Sequence, residues 1–188
     1  MKKLLIALLC VLLVPVYAGA AAPAKGNSIK TLVCSDMKSF QEVSPLTFGI
    51  IRSAGAKRSK DGKKIEVYLS NGDFTVESMS SDMVLPLKNK KDFILVVTFM
   101  NGSNPVVDGT YSPKAGYGKP FWSYVALRVL SGPKGTTLSF GSTEGTSTIS
   151  GISSGKISGT FLLQRKNGAK VMAEASGAFN VPLTISKY

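Results

Sequence analysis

The sequence predicts an all-β fold, either a single-domain antiparallel β-sandwich or a closed β-barrel of about 9–10 strands, preceded by a cleaved signal peptide. Three observations support this prediction. Turn-forming residues recur at short intervals along the chain. The segments between them are rich in Val, Ile, Thr, Phe and Tyr and alternate apolar with polar residues. No long stretch has the 3.6-residue apolar spacing of an amphipathic helix.

The first 20 residues have the order typical of a bacterial secretory signal peptide. Lys2 and Lys3 precede an apolar run at positions 4–14, and small residues follow, so cleavage after Ala18 or Ala20 fits the usual rule. The apolar run is about 11 residues long, whereas a membrane-spanning helix needs roughly 20. We therefore expect export to the periplasm or the extracellular space, with no transmembrane helix in the mature form.

Residues 21–28 are expected to form a flexible lead-in, and residues 29–188 a single β-domain. Loss of Lys2 and Lys3 takes the formal net charge from +12 to +10, so the mature chain stays strongly basic. Histidine is absent, and removal of Cys10 leaves Cys34 as the one cysteine. We expect Cys34 to be buried and inert, with intermolecular pairing as the alternative. This composition argues against a metal, another cofactor or an enzymatic activity.

The first strand pair is predicted from Asn71–Gly72, a dipeptide typical of two-residue type I′ turns. Such a turn pairs Leu69 with Phe74 and places the alternating apolar residues on one face. It also sets Glu66 opposite Glu77 on the outward face, where nearby lysines would relieve the repulsion.

The last strand pair is predicted from a three-residue loop at 166–168, with Gly168 in the left-handed bulge position. This loop pairs Leu163 with Val171 and Phe161 with Ala173. Gly159 and Gly177 each precede an inward phenylalanine by two residues and are expected to make room for a large neighbour or to allow a sharp bend of the sheet.

Five further strands are predicted at 46–52, 93–99, 124–130, 136–140 and 146–152. The segment 93–99 is apolar on both faces and is expected to be a central strand covered on both sides. Pro182 indicates that the last strand lies at an edge, at least locally.

Two segments are candidate binding surfaces. The connection at 56–64 carries five basic residues and one acid, and it is expected to attract anionic groups. The segment 111–124 combines aromatic rings with lysines, and such rings can stack on sugars; the alternative is that they fold inward and cap the core. The candidate ligand-binding residues are Tyr111, Lys114, Tyr117, Lys119, Phe121, Trp122, Lys57, Arg58, Lys60, Lys63 and Lys64.

These residues predict an exported, non-enzymatic β-domain that binds an anionic polysaccharide, the cell-envelope surface or another exported protein, and no specific nucleic acid. One alternative is a carrier that holds a small apolar ligand inside a lipocalin-like barrel. A second alternative is a small outer-membrane β-barrel.

Overall fold

The computed structural model describes residues 26–34, 51–76, 92–129, 136–138 and 141–186. The predicted signal peptide, most of the predicted strand 46–52 and the thiol of Cys34 lie outside this description. The described strands are β1 (Ser28–Cys34), β2 (Ser53–Arg58), β3 (Lys64–Ser70), β4 (Phe93–Met100), β5 (Gly109–Tyr111), β6 (Trp122–Val129), β7 (Thr136–Leu138), β8 (Glu144–Ser153), β9 (Lys156–Asn167) and β10 (Lys170–Ile185).

The strands form one sheet in the order β5-β8-β9-β10-β2-β3-β4-β6-β7, with β1 also paired to β10. The sheet is mixed, barrel-like and nearly closed, which confirms the all-β prediction. The prediction of a purely antiparallel sheet is wrong, because β2 and β10 pair in parallel, with Leu183 opposite Ala56. The 16 residues of β10 explain this, since its last residues extend beyond the β9 ladder and run beside β2.

The two ends of the strand order approach each other, and contacts outside the sheet ladder link them. The backbone N–H of Ser112, after β5, donates to the Phe121 carbonyl, before β6, at 2.8 Å, and the backbone N–H of Val125 in β6 donates to the Ser142 hydroxyl, before β8, at 3.3 Å. A 3-10 turn at Pro113–Ala115 lies close to both β6 and β8. The segment between β5 and β6 is therefore held at the seam of the barrel.

The main hydrophobic core lies on the inward face of the strands, and β4 is central to it. Alternate β4 residues, such as Phe93 and Phe99, face this core, whereas Ile94 and Val96 pack on the outward side against Phe74. Strand β4 lies between β3 and β6. The prediction of a central strand covered on both faces is confirmed for the first part of β4, because its five residues from position 93 are all buried.

Two glycines and two phenylalanines pack reciprocally across β9 and β10. Gly159 is opposite Phe179, and Gly177 is opposite Phe161. A Cβ atom at Gly159 would lie 2.6 Å from Cζ of Phe179, and one at Gly177 would lie 2.8 Å from Cζ of Phe161. Each glycine therefore makes space for the ring on the other strand, as predicted.

The predicted hairpin at Asn71–Gly72 is wrong. Both edges of β3 are already occupied, by β2 and by β4, and the described residues after Gly72 form no strand. Neither turn residue has the positive φ that a type I′ turn requires. Instead, the Asn71 side chain accepts from the Phe93 N–H at 2.8 Å, which ties the end of β3 to the start of β4. Glu66 consequently faces Lys57 of β2 rather than Glu77.

The β9–β10 hairpin is present, but the predicted register is wrong by four residues. Leu163 is opposite Ala175 rather than Val171, because the turn is two residues long and the bulge falls within β10, between Val171 and Ala173. Gly168 has the predicted left-handed conformation, with a φ of 58°. From Ala173 onward the shift is even and leaves the side chains on their predicted faces, since side chains alternate with a period of two. Before the bulge the shift is odd, so Val171, which was predicted to face inward, lies opposite Lys166 and is exposed.

Pro182 lies at a local gap rather than on an edge strand. On the side of β10 away from β9, pairing with β1 ends at Ala178 and pairing with β2 begins at Leu183. A residue that lacks an N–H donor fits this gap, so the prediction holds locally although β10 itself is an interior strand.

Candidate functional site

A groove of about 340 Å³ lies on the outward face of β3, β4 and β6. Alternate side chains of β4, namely Val96, Thr98 and Met100, form its floor. Strand β3 supplies one wall and strand β6 the other, because these strands flank β4 in the sheet.

The β6 wall is aromatic. The rings of Trp122 and Tyr124 are nearly parallel, at 11° with centroids 5.8 Å apart. Both face outward because side chains two residues apart on a strand share a face. Tyr117 packs edge-on against Trp122 at a centroid distance of 5.1 Å and is 79% exposed. The wall therefore presents the ring surface of several aromatic side chains to the groove.

The β3 wall is polar and charged. One carboxylate oxygen of Glu66 accepts a hydrogen bond from Lys64 Nζ at 3.3 Å, and the other accepts from the Tyr68 hydroxyl at 3.0 Å. Lys57 lies directly opposite Glu66 on the neighbouring strand, on the same face of the sheet. Two lysines and one carboxylate thus line or border this side of the groove.

The loop that carries Tyr117 is held in place by backbone geometry. The Ser112 N–H donates to the Phe121 carbonyl at 2.8 Å, which brings the two ends of the loop together. Phe121 has a φ of 55°, the one positive φ among the described non-glycine residues. Such a conformation costs free energy and persists where surrounding contacts enforce it. Here it turns the chain into β6 immediately before Trp122.

The structure brings together part of the predicted site. Tyr117, Trp122 and Lys64 line the groove, although they come from two different predicted segments. Tyr111 is fully buried instead, and its hydroxyl donates to the Val107 carbonyl at 2.7 Å, so it belongs to the core. Phe121 packs its ring on Tyr111 at 5.2 Å rather than on the groove.

The predicted connection at 56–64 is shorter than expected, because Ala56–Arg58 belong to β2 and Lys64 to β3. Arg58 is in register with Ile65, on the inward side of the sheet, and its guanidinium lies against Gly62. Lys60 is exposed at the tip of the turn, and Lys63 is 3.6 Å from the carboxylate of Asp61. A hydrogen bond from the Ser59 hydroxyl is the main cause that lowers the pKa of Asp61.

The remaining lysines of the second segment do not line the groove. Lys119 is exposed in the loop that carries Tyr117. Lys114 lies 3.8 Å from one carboxylate oxygen of Glu144, while Lys166 Nζ lies 2.7 Å from the other. The hydrogen bond from Lys166 is the main cause that lowers the pKa of Glu144.

The candidate ligand-binding residues did not include the groove residues Glu66, Thr98, Met100 and Tyr124. Tyr124 lies in the aromatic segment 111–124, but the strand was predicted to begin at Tyr124, so the face that it shares with Trp122 follows only from the observed start of β6 at Trp122. The other three become neighbours of Trp122 only through the pairing of β4 with β3 and β6.

No family model, curated protein or solved structure matches this chain. What the groove binds therefore has to be inferred from its geometry. Within the described ranges, no three Cys, Asp or Glu side chains come together as metal ligands. No helix in the same ranges combines the length and hydrophobicity needed to cross a bilayer.

Proposed function

We propose that this protein is an exported, non-enzymatic domain that binds an anionic polysaccharide through the groove on β3, β4 and β6. The observation that carries the proposal is the contrast between the two walls. Parallel aromatic rings of Trp122 and Tyr124 stand on one side, and the hydrogen-bonding pair Lys64 and Glu66 stands on the other.

A sugar ring fits a groove that has one aromatic wall and one hydrogen-bonding wall. Its C–H bonds form a weakly positive, apolar face that stacks on the negative face of an aromatic ring, while hydroxyl groups project from its edge. In this groove, one face of the sugar would lie on Trp122 or Tyr124. Its hydroxyls would then donate to Glu66 and accept from Lys64, which keep further hydrogen-bonding capacity beyond their mutual contact.

The charge of the protein favours an anionic polymer over a neutral one. The chain carries 23 basic and 11 acidic residues, and this excess creates a positive field that attracts polyanions. Lys57, beside Glu66, and Lys119, in the loop that carries Tyr117, lie near the groove and add to this field locally.

The location of the groove also supports surface binding over an interior carrier. The inward side chains of the described strands pack against one another in one hydrophobic core cluster. The groove, in contrast, opens on the outer face of the sheet and is lined by partly exposed side chains such as Trp122 and Thr98.

The test is calorimetric titration of the full mature protein with neutral, carboxylated and sulfated oligosaccharides at two salt concentrations. We expect binding of anionic members, weaker at high salt because screening reduces the attraction. Trp122→Ala should weaken binding by roughly 5- to 150-fold, the loss expected for one stacked ring at about 1–3 kcal/mol. The oligosaccharides should be recovered uncleaved.

The matched control is Leu162→Ala, which truncates an exposed apolar side chain on β9, outside the groove. It should leave binding unchanged. Binding that Trp122→Ala does not weaken, or a panel in which no oligosaccharide binds, would refute the proposed function. Extraction of an apolar ligand from the purified protein would favour a carrier instead.

A further inference from the structure

The groove is blocked at one end and open at the other. At the blocked end, Phe74 packs edge-on against Tyr68 at 6.3 Å, and Val76 joins it over the outer face of the sheet. Tyr68 and Val96 are consequently only 6% exposed. At the open end, Met100 is partly exposed and Tyr117 is 79% exposed.

The charged groups have a fixed order along this direction. In the row nearer the blocked end, Glu66 is in register with Thr98 and Tyr124. In the next row, at the open end, Lys64 is in register with Met100 and with Trp122. The rows are two residues apart along the strands, roughly 6.5–7 Å, which is comparable to the length of one sugar unit. Each row thus holds one aromatic ring of β6 across β4 from one charged group of β3, and Lys57 of β2 extends the inner row one strand further from the groove.

We propose, on the basis of the proposed function, that the groove binds the end of an anionic glycan rather than an internal segment. The terminal unit occupies the row of Glu66 and Tyr124 and is uncharged. The second unit occupies the row of Lys64 and Trp122 and carries the anionic group. The blocked end leaves no path for a chain to continue beyond the terminal unit.

Repulsion between like charges at short range determines which of the two rows takes the anionic sugar unit. A carboxylate or sulfate in the inner row would lie beside the carboxylate of Glu66, and like charges at such a distance repel appreciably even near a surface. An uncharged unit instead offers hydroxyl groups that donate to Glu66, whose two oxygens are held in place by Lys64 and Tyr68. An anionic group in the outer row meets the ammonium of Lys64.

The test uses two trisaccharides of alternating N-acetylhexosamine and hexuronate. One has hexosamine at both ends and a single central carboxylate, and the other has hexuronate at both ends and two carboxylates. We expect the hexosamine-ended trisaccharide to bind at least about fivefold more tightly, although it carries less charge. Nonspecific attraction to a basic protein would give the opposite order.

A variant and a polymer measurement complete the test. Glu66→Gln should strengthen binding of the hexuronate-ended trisaccharide and thereby narrow the preference, because it removes the repelling charge and keeps the shape of the side chain. For the alternating polymer, the amount of protein bound per unit mass should fall as chain length increases, because longer chains have fewer ends.

Equal binding of both trisaccharides, tighter binding of the hexuronate-ended one, or a polymer capacity independent of chain length would overturn end recognition while leaving glycan binding intact. If neither trisaccharide binds and no member of the wider oligosaccharide panel binds, both proposals fall. If neither trisaccharide binds but other anionic oligosaccharides do, end recognition of this alternating glycan is wrong.

Discussion

Replacement of Gly159 by alanine is expected to destabilise the barrel, because the new methyl group has no space on either side. Its carbon would lie 2.1 Å from the Thr148 carbonyl oxygen and 2.6 Å from Cζ of Phe179. Overpacking of a buried site typically costs about 1–3 kcal/mol, and the value should lie near the upper end because one obstacle is β8 backbone. For a chain of this size, about 3 kcal/mol corresponds to a decrease in Tm of roughly 6–12 °C.

The measurement is thermal and denaturant unfolding of Gly159→Ala beside a matched control, Gly151→Ala. A methyl group at Gly151 would meet only the Ser158 hydroxyl, at an ordinary 3.5 Å, and the backbone there has no positive φ. The control should be neutral or more stable by about 0.4–1 kcal/mol through the unfolded state. A further change, Phe179→Leu, should recover only part of the loss, since it leaves the Thr148 oxygen in place. Equal Tm values for the two alanine variants would refute the reciprocal packing.

Two further predictions concern stability. Ser123→Ala should stabilise the protein by about 1 kcal/mol in denaturant unfolding, because no described group bonds its buried hydroxyl; a loss of stability would show an overlooked partner. Lys166→Met should raise the pKa of Glu144 toward its ordinary value in an NMR titration. Because the folded pKa of Glu144 is lowered, the stabilisation exists above the unfolded-state pKa and is lost as pH falls through the folded pKa. The wild type should therefore lose more stability over this window than Lys166→Met, and identical pH profiles would contradict the link.

The positions of most strands were predictable, because they depend on patterns within a short stretch of sequence. The alternation in β9, and in β10 from Ala173 onward, identified the inward faces correctly, and the error of four residues in the register of this part did not change them. The register itself was not predictable, since a two-residue turn with a bulge inside β10 satisfies the same alternation as a three-residue loop.

The wrong hairpin prediction at Asn71–Gly72 shows that pairing with distant strands can override a local turn preference. The dipeptide favours a hairpin, but β3 gains a full ladder on each side, from β2 and from β4. The side chains of Ser70 and Asn71 then bond the backbone of Phe93, more than 20 positions away. The sequence at the turn contains no information about that partner, so tertiary pairing overrides the propensity.

The candidate site was predictable only in pieces. Aromatic and basic segments were visible, and three of the candidate ligand-binding residues within them line the groove. Whether Lys64 and Trp122 face each other depends on the register of both with Met100, a residue without any chemical signature. The assignment of Tyr111 to the core likewise depends on Phe99, whose ring lies 5.3 Å away.

Because strand β10 must pair with β2, this barrel closes late in folding. Its residues 170–182 pair with β9, whereas Leu183 to Ile185 pair with β2, so a single strand connects the two halves of the sheet. The Thr184 hydroxyl reaches the Ala56 carbonyl across 128 positions of chain. Pairing at such separation is slow, because the entropy lost in closing the loop is offset only after the contacts have formed. Until that ladder forms, β2 has an unpaired edge. A chain delayed at this stage can pair this edge with a strand of another copy of the same protein.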